Sequence, residues 1–116
     1  MHHTELKAWK QSIDFVTHIY ELTAGFSKNE TYELSSQMQR AAVSIPSNIA
    51  EGCARSSYKD TSRFLDIAIG SIAEIETHLI IAQKLKYIQN IENIIQEHNK
   101  IKALVLGLRK QVVNSY

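Results

Sequence analysis

The chain has 116 residues, 44% hydrophobic and 22% charged, a composition that suits a single globular domain over residues 1–116 and argues against disorder. Its 13 Lys and Arg against 12 Asp and Glu give a formal net charge of +1, so no bulk field draws in nucleic acid or a membrane. Cys53, the single cysteine, excludes an internal disulfide and a thiolate metal cluster, and the start Met1-His2-His3-Thr4-Glu5 lacks a signal-peptide profile. With no apolar run near the ~20 residues that span a bilayer, the expectation is a soluble, cytoplasmic protein with no membrane partner.

The first helix is expected over residues 4–24. Leu6, Trp9, Ile13, Val16, Tyr20 and Thr23 recur at spacings of three and four, a stripe expected to face the core. Gly25 fits a left-handed C-terminal cap. Ser27-Lys28-Asn29-Glu30 has the form of a capping box, and Ser35 offers a second start, so an irregular turn or short helix is expected between Phe26 and Leu34. The sequon Asn29-Glu30-Thr31 reads as coincidence in a cytoplasmic chain.

The second helix, residues 35–55, gathers Leu34, Met38, Ala41, Ala42, Ile45, Ile49 and Cys53 on one side. Pro46 falls inside this pattern without shifting its phase, which predicts a kink near Pro46 and not a break. Ser56-Ser57-Tyr58-Lys59-Asp60 supplies a turn and a fresh N-cap. The third helix, residues 58–85, has Phe64, Leu65, Ala68, Ile72, Ile75, Leu79 and Ala82 as its main stripe. Ile69, Ala73 and Ile80 form a second apolar side, more than a lone bundle buries, and predict a subunit interface. The fourth helix, residues 90–114, buries Ile91, Ile94, Ile95, Ile101, Val105, Leu108 and Val112. Four amphipathic helices on short connections predict an all-α, antiparallel up-down-up-down four-helix bundle, with a helical hairpin that completes its core by dimerising as the competitor.

The run Gln37-Met38-Gln39-Arg40-Ala41-Ala42-Val43-Ser44-Ile45-Pro46-Ser47-Asn48-Ile49-Ala50-Glu51-Gly52 closely resembles the signature of the 23S rRNA intervening-sequence protein family, small bacterial four-helix bundle proteins. The likeness continues through Arg55-Ser56, Arg63-Phe64-Leu65, Ala68, Gly70-Ser71, Glu74 and Leu85-Lys86-Tyr87-Ile88, and takes in Trp9, Tyr20 and Leu106-Gly107-Leu108. Departures are Ser27 where proline is usual, Glu33 and Lys86 where glycine is common, and Thr61 where an aromatic is usual. The resemblance implies a four-helix bundle assembled as a homopentamer. It also implies genes lying inside inserted segments of ribosomal RNA genes. A diverged branch of the family serves diversity-generating retroelements as an accessory protein that binds a reverse transcriptase and nucleic acid.

Arg40, Ser44, Asn48, Glu51 and Arg55, with Arg63, Ser71 and Glu74 on the next helix, are the most distinctive polar set. One reading is a surface for RNA or an RNA-processing partner, with arginines on phosphates and Ser and Asn adding neutral hydrogen bonds. The other is a structural polar seam between helices or subunits, favoured by Glu51 and Glu74, which would repel phosphate. Gly52 and Gly70 fit close helix approach in either case.

No Glu-x-x-His pair of the di-iron bundles occurs in the sequence. Glu74 and His78, one turn apart, read as a helix-surface ion pair, His98 as a packed core histidine, and Cys53 as an inert thiol on an apolar face. Trp9 and Tyr20 on the core stripe argue against a base-stacking platform. The expectation is a non-enzymatic oligomer with no catalytic residue, metal or cofactor. A protein–protein scaffold that binds no nucleic acid is the alternative.

Overall fold

One proline and four glycines leave few obligatory helix stops, and most of the chain is accordingly helical. The computed structural model describes residues 2–26 and 28–116, with residues 28–32 as backbone only; the expected capping box at Ser27–Glu30 therefore lies outside the described residues. A 3-10 turn, His3–Glu5, leads into α1 (Lys7–Ala24), α2 (Lys28–Cys53), α3 (Tyr58–Lys84) and α4 (Glu92–Val113). No strand occurs among the described residues.

Consecutive helices pack on one another, and α1 closes the ring against α4, while the diagonal pairs make no contact among the described residues. The side-chain pairings fix the directions. Gln39 donates to Thr23 Oγ1 at 2.9 Å, Ser71 to Ser44 Oγ at 2.8 Å, and His98 Nε2 meets the Ile72 carbonyl at 2.9 Å. Second contacts, Trp9 beside Ala50, Thr61 on Gly52 and Arg109 on Asp66, run in the opposite sense along each pair, so the bundle is antiparallel and up-down-up-down, with overall extents of 47 × 22 × 20 Å.

The expected stripes of α2 and α3 form the core: Met38, Ala41, Ala42, Ile45 and Ile49 lie against Leu65, Ala68, Ile72, Ile75, Leu79 and Ala82, all fully or nearly buried. α2 passes through Pro46 without a break. It begins at Lys28, so the stretch up to Leu34, expected as an irregular turn or a short helix of its own, is the continuous start of α2.

Of the stripe expected on α1, only Thr23 is fully buried. The buried side is Ala8, Ser12, Phe15, Ile19 and Thr23; Trp9 and Val16 sit half-buried at its edge, and Ile13 and Tyr20 are exposed. Periodicity favoured the other side because Ser12 counts as polar, although both stripes share Thr23. Both hydroxyls bond to carbonyls of their own helix, Ser12 to Trp9 at 2.8 Å and Thr23 to Ile19 at 2.9 Å, which lets them enter the core satisfied. On α4, Ile101, Val105, Leu108 and Val112 are buried as expected, whereas Ile91, Ile94 and Ile95 are half-buried near its start.

The turns divide in the same way. Ser57 caps α3, its Oγ accepting from the Asp60 amide at 3.1 Å. Gly25 does not adopt the expected left-handed cap; its φ is −82°. The left-handed position is Lys86, φ 66°, at the end of α3. There the Tyr87 amide reaches the Ala82 carbonyl at 2.9 Å and the Lys86 amide reaches Gln83 at 3.0 Å, the paired bonds of a Schellman cap.

A β-carbon in the left-handed region costs about 1–2 kcal/mol that glycine avoids, offset in part by the greater unfolded-state freedom of glycine. Lys86→Gly is therefore expected to raise unfolding stability by roughly 0.5–1 kcal/mol and the melting temperature by a few degrees. Lys86→Val should lower both. Equal melting temperatures for the three chains would mean the turn carries no strain.

Candidate partner-binding faces

The polar residues singled out in the sequence do come together, but as two separate groups along the α2–α3 edge. The first is a closed seam. Ser44 Oγ accepts from Ser71 at 2.8 Å and from Asn48 Nδ2 at 2.9 Å, and the same Asn48 amide donates to the Ser44 carbonyl at 2.8 Å. Ser71 is buried and Ser44 and Asn48 are half-buried, so much of this group's hydrogen-bonding capacity is spent inside the bundle.

The second group lies at the α2–α3 turn. Gly52 allows it: a β-carbon there would sit 3.1 Å from both Phe64 Cβ and the Thr61 carbonyl, tighter than such atoms normally approach. Thr61 donates its hydroxyl to the Gly52 carbonyl at 2.8 Å. Phe64, held over Gly52, carries the guanidinium of Arg55 and that of Arg63 each 4.5 Å from its ring centroid. Asp60 lies 3.8 Å from Arg55 and 3.0 Å from Arg63, and Glu51 lies 3.8 Å from Arg55.

Arg40 belongs to neither group. It is exposed, makes no ion pair among the described residues, and borders a shallow depression with Tyr20, Val43 and Glu51. Gly70 was expected to serve close approach and does not, because nothing lies within 4 Å of where its β-carbon would be.

Two of the uncovered apolar surfaces lie on different edges of the bundle. On one side, Trp9, Ile13 and Val16 of α1 meet Val43, Pro46 and Ala50 of α2 around an open groove of about 310 Å³. Tyr20, exposed further along, was expected in the core and is not there. On α3, Ile69 is half-buried against the chain's own core, whereas Ala73 and Ile80 are exposed. All three lie within ~60° of Asp66, at 100° per residue, and Asp66 pairs with Arg109 of α4. They therefore belong to the α3–α4 edge. In the cyclic order of helices that edge is opposite the α1–α2 groove.

Residues 4–107 match the family described as 23S rRNA-intervening sequence protein. The chain belongs to that family. It is similar, with a TM-score of 0.76 and 27% identity, to the crystal structure of a protein of unknown function from the S23 ribosomal protein family of Bacteroides thetaiotaomicron. The likeness covers 89% of this chain and 98% of that one. No curated protein matches it.

Three further groups were weighed for chemistry. His98 is packed in the core as expected, its ring between the Ile72 carbonyl and Asn99 Oδ1 at 3.1 Å, with Phe15 alongside. Burial pushes the Cys53 thiol up from its ordinary value of 9.0, which keeps it protonated and unreactive. His78 is not the surface residue expected. It is buried, its Nε2 is 3.7 Å from Glu74, and its Nδ1 has no partner among the described residues. No group of three metal-binding side chains occurs among the described residues, and no helix among them is long and apolar enough to cross a membrane.

Burial pushes His78 below the ordinary histidine value of 6.5, against a smaller opposing pull from Glu74. Above that value His78 is neutral in both folded and unfolded chains, and its contribution is constant. As the pH falls below it, the unfolded chain takes up a proton that the folded chain refuses, so stability falls. The melting temperature is expected to drop between pH 7.5 and 5.5. His78→Leu, which removes an unsatisfied polar atom as well, should melt no lower than the natural chain at pH 7.5 and show a weaker drop. An unchanged pH profile in that variant would assign the acid sensitivity elsewhere.

Proposed function

We propose that this chain works without catalysis of its own, as a cytoplasmic homo-oligomer that presents polar residues of α2 and α3 to RNA or to an RNA-processing protein. The observation that carries the assembly is the pair of apolar surfaces on opposite edges of the bundle. One exposed edge would suit a two-fold dimer; two different opposite edges suit a head-to-tail interface, which closes into a ring when the rotation allows. In this reading the α1–α2 groove of one subunit takes Ala73 and Ile80 of the next, with Ile69 completing the interface. Covering each large aliphatic contributes about 1.5–3 kcal/mol. The ring count of five, and a kinship with retroelement accessory proteins that bind a reverse transcriptase and nucleic acid, rest on the family resemblance.

Light scattering after gel filtration is expected to give one species near five times the 13.2 kDa chain mass. Ile13→Asp on one edge and Ile80→Asp on the other should each yield smaller species with helicity retained. A natural chain that stays monomeric at micromolar concentration would overturn the assembly.

The nucleic-acid half of the proposal is supported by the family's association with ribosomal RNA genes and by Arg40, which makes no ion pair among the described residues. The scaffold reading draws on the same edge, because Glu51, Asp60 and Glu74 stand among its arginines and the Ser44–Asn48–Ser71 seam is already satisfied. Crosslinking in the native cell followed by recovery of bound RNA and protein separates the two. Enriched RNA supports the first reading, and a protein partner recovered equally after RNase treatment supports the second.

A further inference from the structure

Charge in this bundle is segregated along its long axis. A cut near the middle of each helix places residues 1–13, 47–70 and 105–116 in one half, the half holding the α2–α3 turn and the end of α4. That half has seven Lys and Arg against four Asp and Glu, a side-chain charge of +3. The other half, residues 14–46 and 71–104, has six against eight, a charge of −2. The overall +1 thus conceals a basic end and an acidic end.

The carboxylates at the basic end are mostly occupied. Asp60 serves Arg55 and Arg63, Glu51 also reaches Arg55, and Asp66 pairs with Arg109. Lys7, Lys10, Lys59 and Lys110 are exposed and make no ion pair among the described residues. The same end carries two of the most exposed aromatic side chains, Tyr58 at 53% and Tyr116 at 64%. Tyr58 borders a partly enclosed pocket of about 310 Å³, lined also by Cys53, Arg55, Ser57 and Val112. Its volume lies at the lower end of the range of small-ligand sites. Unpaired cations beside exposed rings are what single-stranded nucleic acid needs: a track for phosphates and a flat surface for an unstacked base.

We infer that the basic end of the bundle, centred on Tyr58, Lys59 and the pocket beside Arg55, binds single-stranded RNA, with a base stacked on Tyr58 and flanking phosphates on Lys59 and Lys110. This rests on the RNA-binding reading above and moves its site from the Ser44–Asn48–Ser71 seam to the end of the molecule. In a cyclic ring every subunit turns the same end to the same rim, so the basic ends collect on one face and several can engage one strand.

The test is fluorescence anisotropy of a labelled 15-nucleotide single-stranded RNA of mixed sequence, with the full-length protein, from 50 to 300 mM salt. The natural chain is expected to bind with affinity falling steeply as salt rises, and unlabelled duplex RNA to compete poorly. Tyr58→Ala should weaken binding about tenfold with little change in salt slope. Lys59→Gln with Lys110→Gln should flatten the slope by about 0.7 for each phosphate no longer neutralised. Lys100→Gln, exposed in the acidic half, should bind within twofold of the natural chain, and all variants should keep their helical circular dichroism and oligomer size. If the natural chain binds and the end variants bind equally well, the location is overturned while the RNA reading stands. Duplex RNA competing as well as the single strand would overturn the stacking role of Tyr58. Absence of binding at the lowest salt would overturn both the location and the RNA reading.

Discussion

Where α2 turns into α3, the backbone of Gly52 lies against Thr61 and Phe64 with no room for a side chain between them. That close approach sets the spacing of the two helices, and much of the α2–α3 edge follows from it. The Thr61 hydroxyl can reach the Gly52 carbonyl only because the helices are that close. Phe64, held over the glycine, offers its outer face to Arg55 and Arg63, and the two guanidiniums tolerate one another because Asp60 lies near both. Further along, the same spacing brings Ser71 to Ser44 across the helix pair. An alanine at 52 would have to push one helix outward, and the strain would pass to the seam through the close-packed core.

How much of this was legible in the sequence depended on how each residue satisfies its polar atoms. The stripes of α2 and α3 were readable because Met38, Ile45, Ile49, Leu65, Ile72 and Leu79 are apolar and repeat with helical period. α1 was misread because its buried side uses Ser12, whose hydroxyl is satisfied by its own helix and looks polar only in sequence. The exposed stripe of Trp9, Ile13, Val16 and Tyr20 is periodic as well, and nothing in one chain distinguishes a stripe meant for the core from one left uncovered. Gly25 and Lys86 show the same limit for turns: residue type suggested the left-handed position, but hydrogen bonding at the end of α3 placed it on a lysine. Among the site residues, the grouping of Ser44, Asn48 and Ser71 was legible from spacing. The gathering of Tyr58 and Lys59 with the distant end of α4 was not, because it depends on where α4 finishes.

The surface divides by geometry more than by composition. The long edges of the bundle carry aliphatic residues, the α1–α2 groove on one side and Ala73 with Ile80 on the other, while the net positive charge gathers at one end. Apolar attraction is short-ranged and needs complementary area, so it suits the extended sides, where antiparallel helices offer length. Charge acts over roughly 8–10 Å at ordinary salt, so a few lysines at an end can influence a strand before it touches. A near-zero net charge is compatible with strong local binding for this reason. The acidic half also gives the opposite rim of any ring no attraction for the same polyanion.

The buried polar groups add a constraint that apolar packing alone does not supply. His98 reaches the Ile72 carbonyl from α4 and packs beside Phe15 of α1, so its hydrogen bond is made in one axial register of α4 against α3. The aliphatic residues around it would tolerate a one-turn slide of α4 at modest cost, since isoleucine and valine repeat along the helix. The histidine would not, because a slide of about 5.4 Å leaves its Nε2–H unpaired in the core. That register in turn sets where α4 ends, and so where Tyr116 meets Ser62 and Arg109 meets Asp66. The basic end is therefore assembled at a distance by a buried hydrogen bond near the middle of the bundle. His78 differs from His98 in lacking a partner at Nδ1. It contributes no comparable register, and instead leaves an acid-sensitive point on the α3 side of an otherwise well-satisfied core.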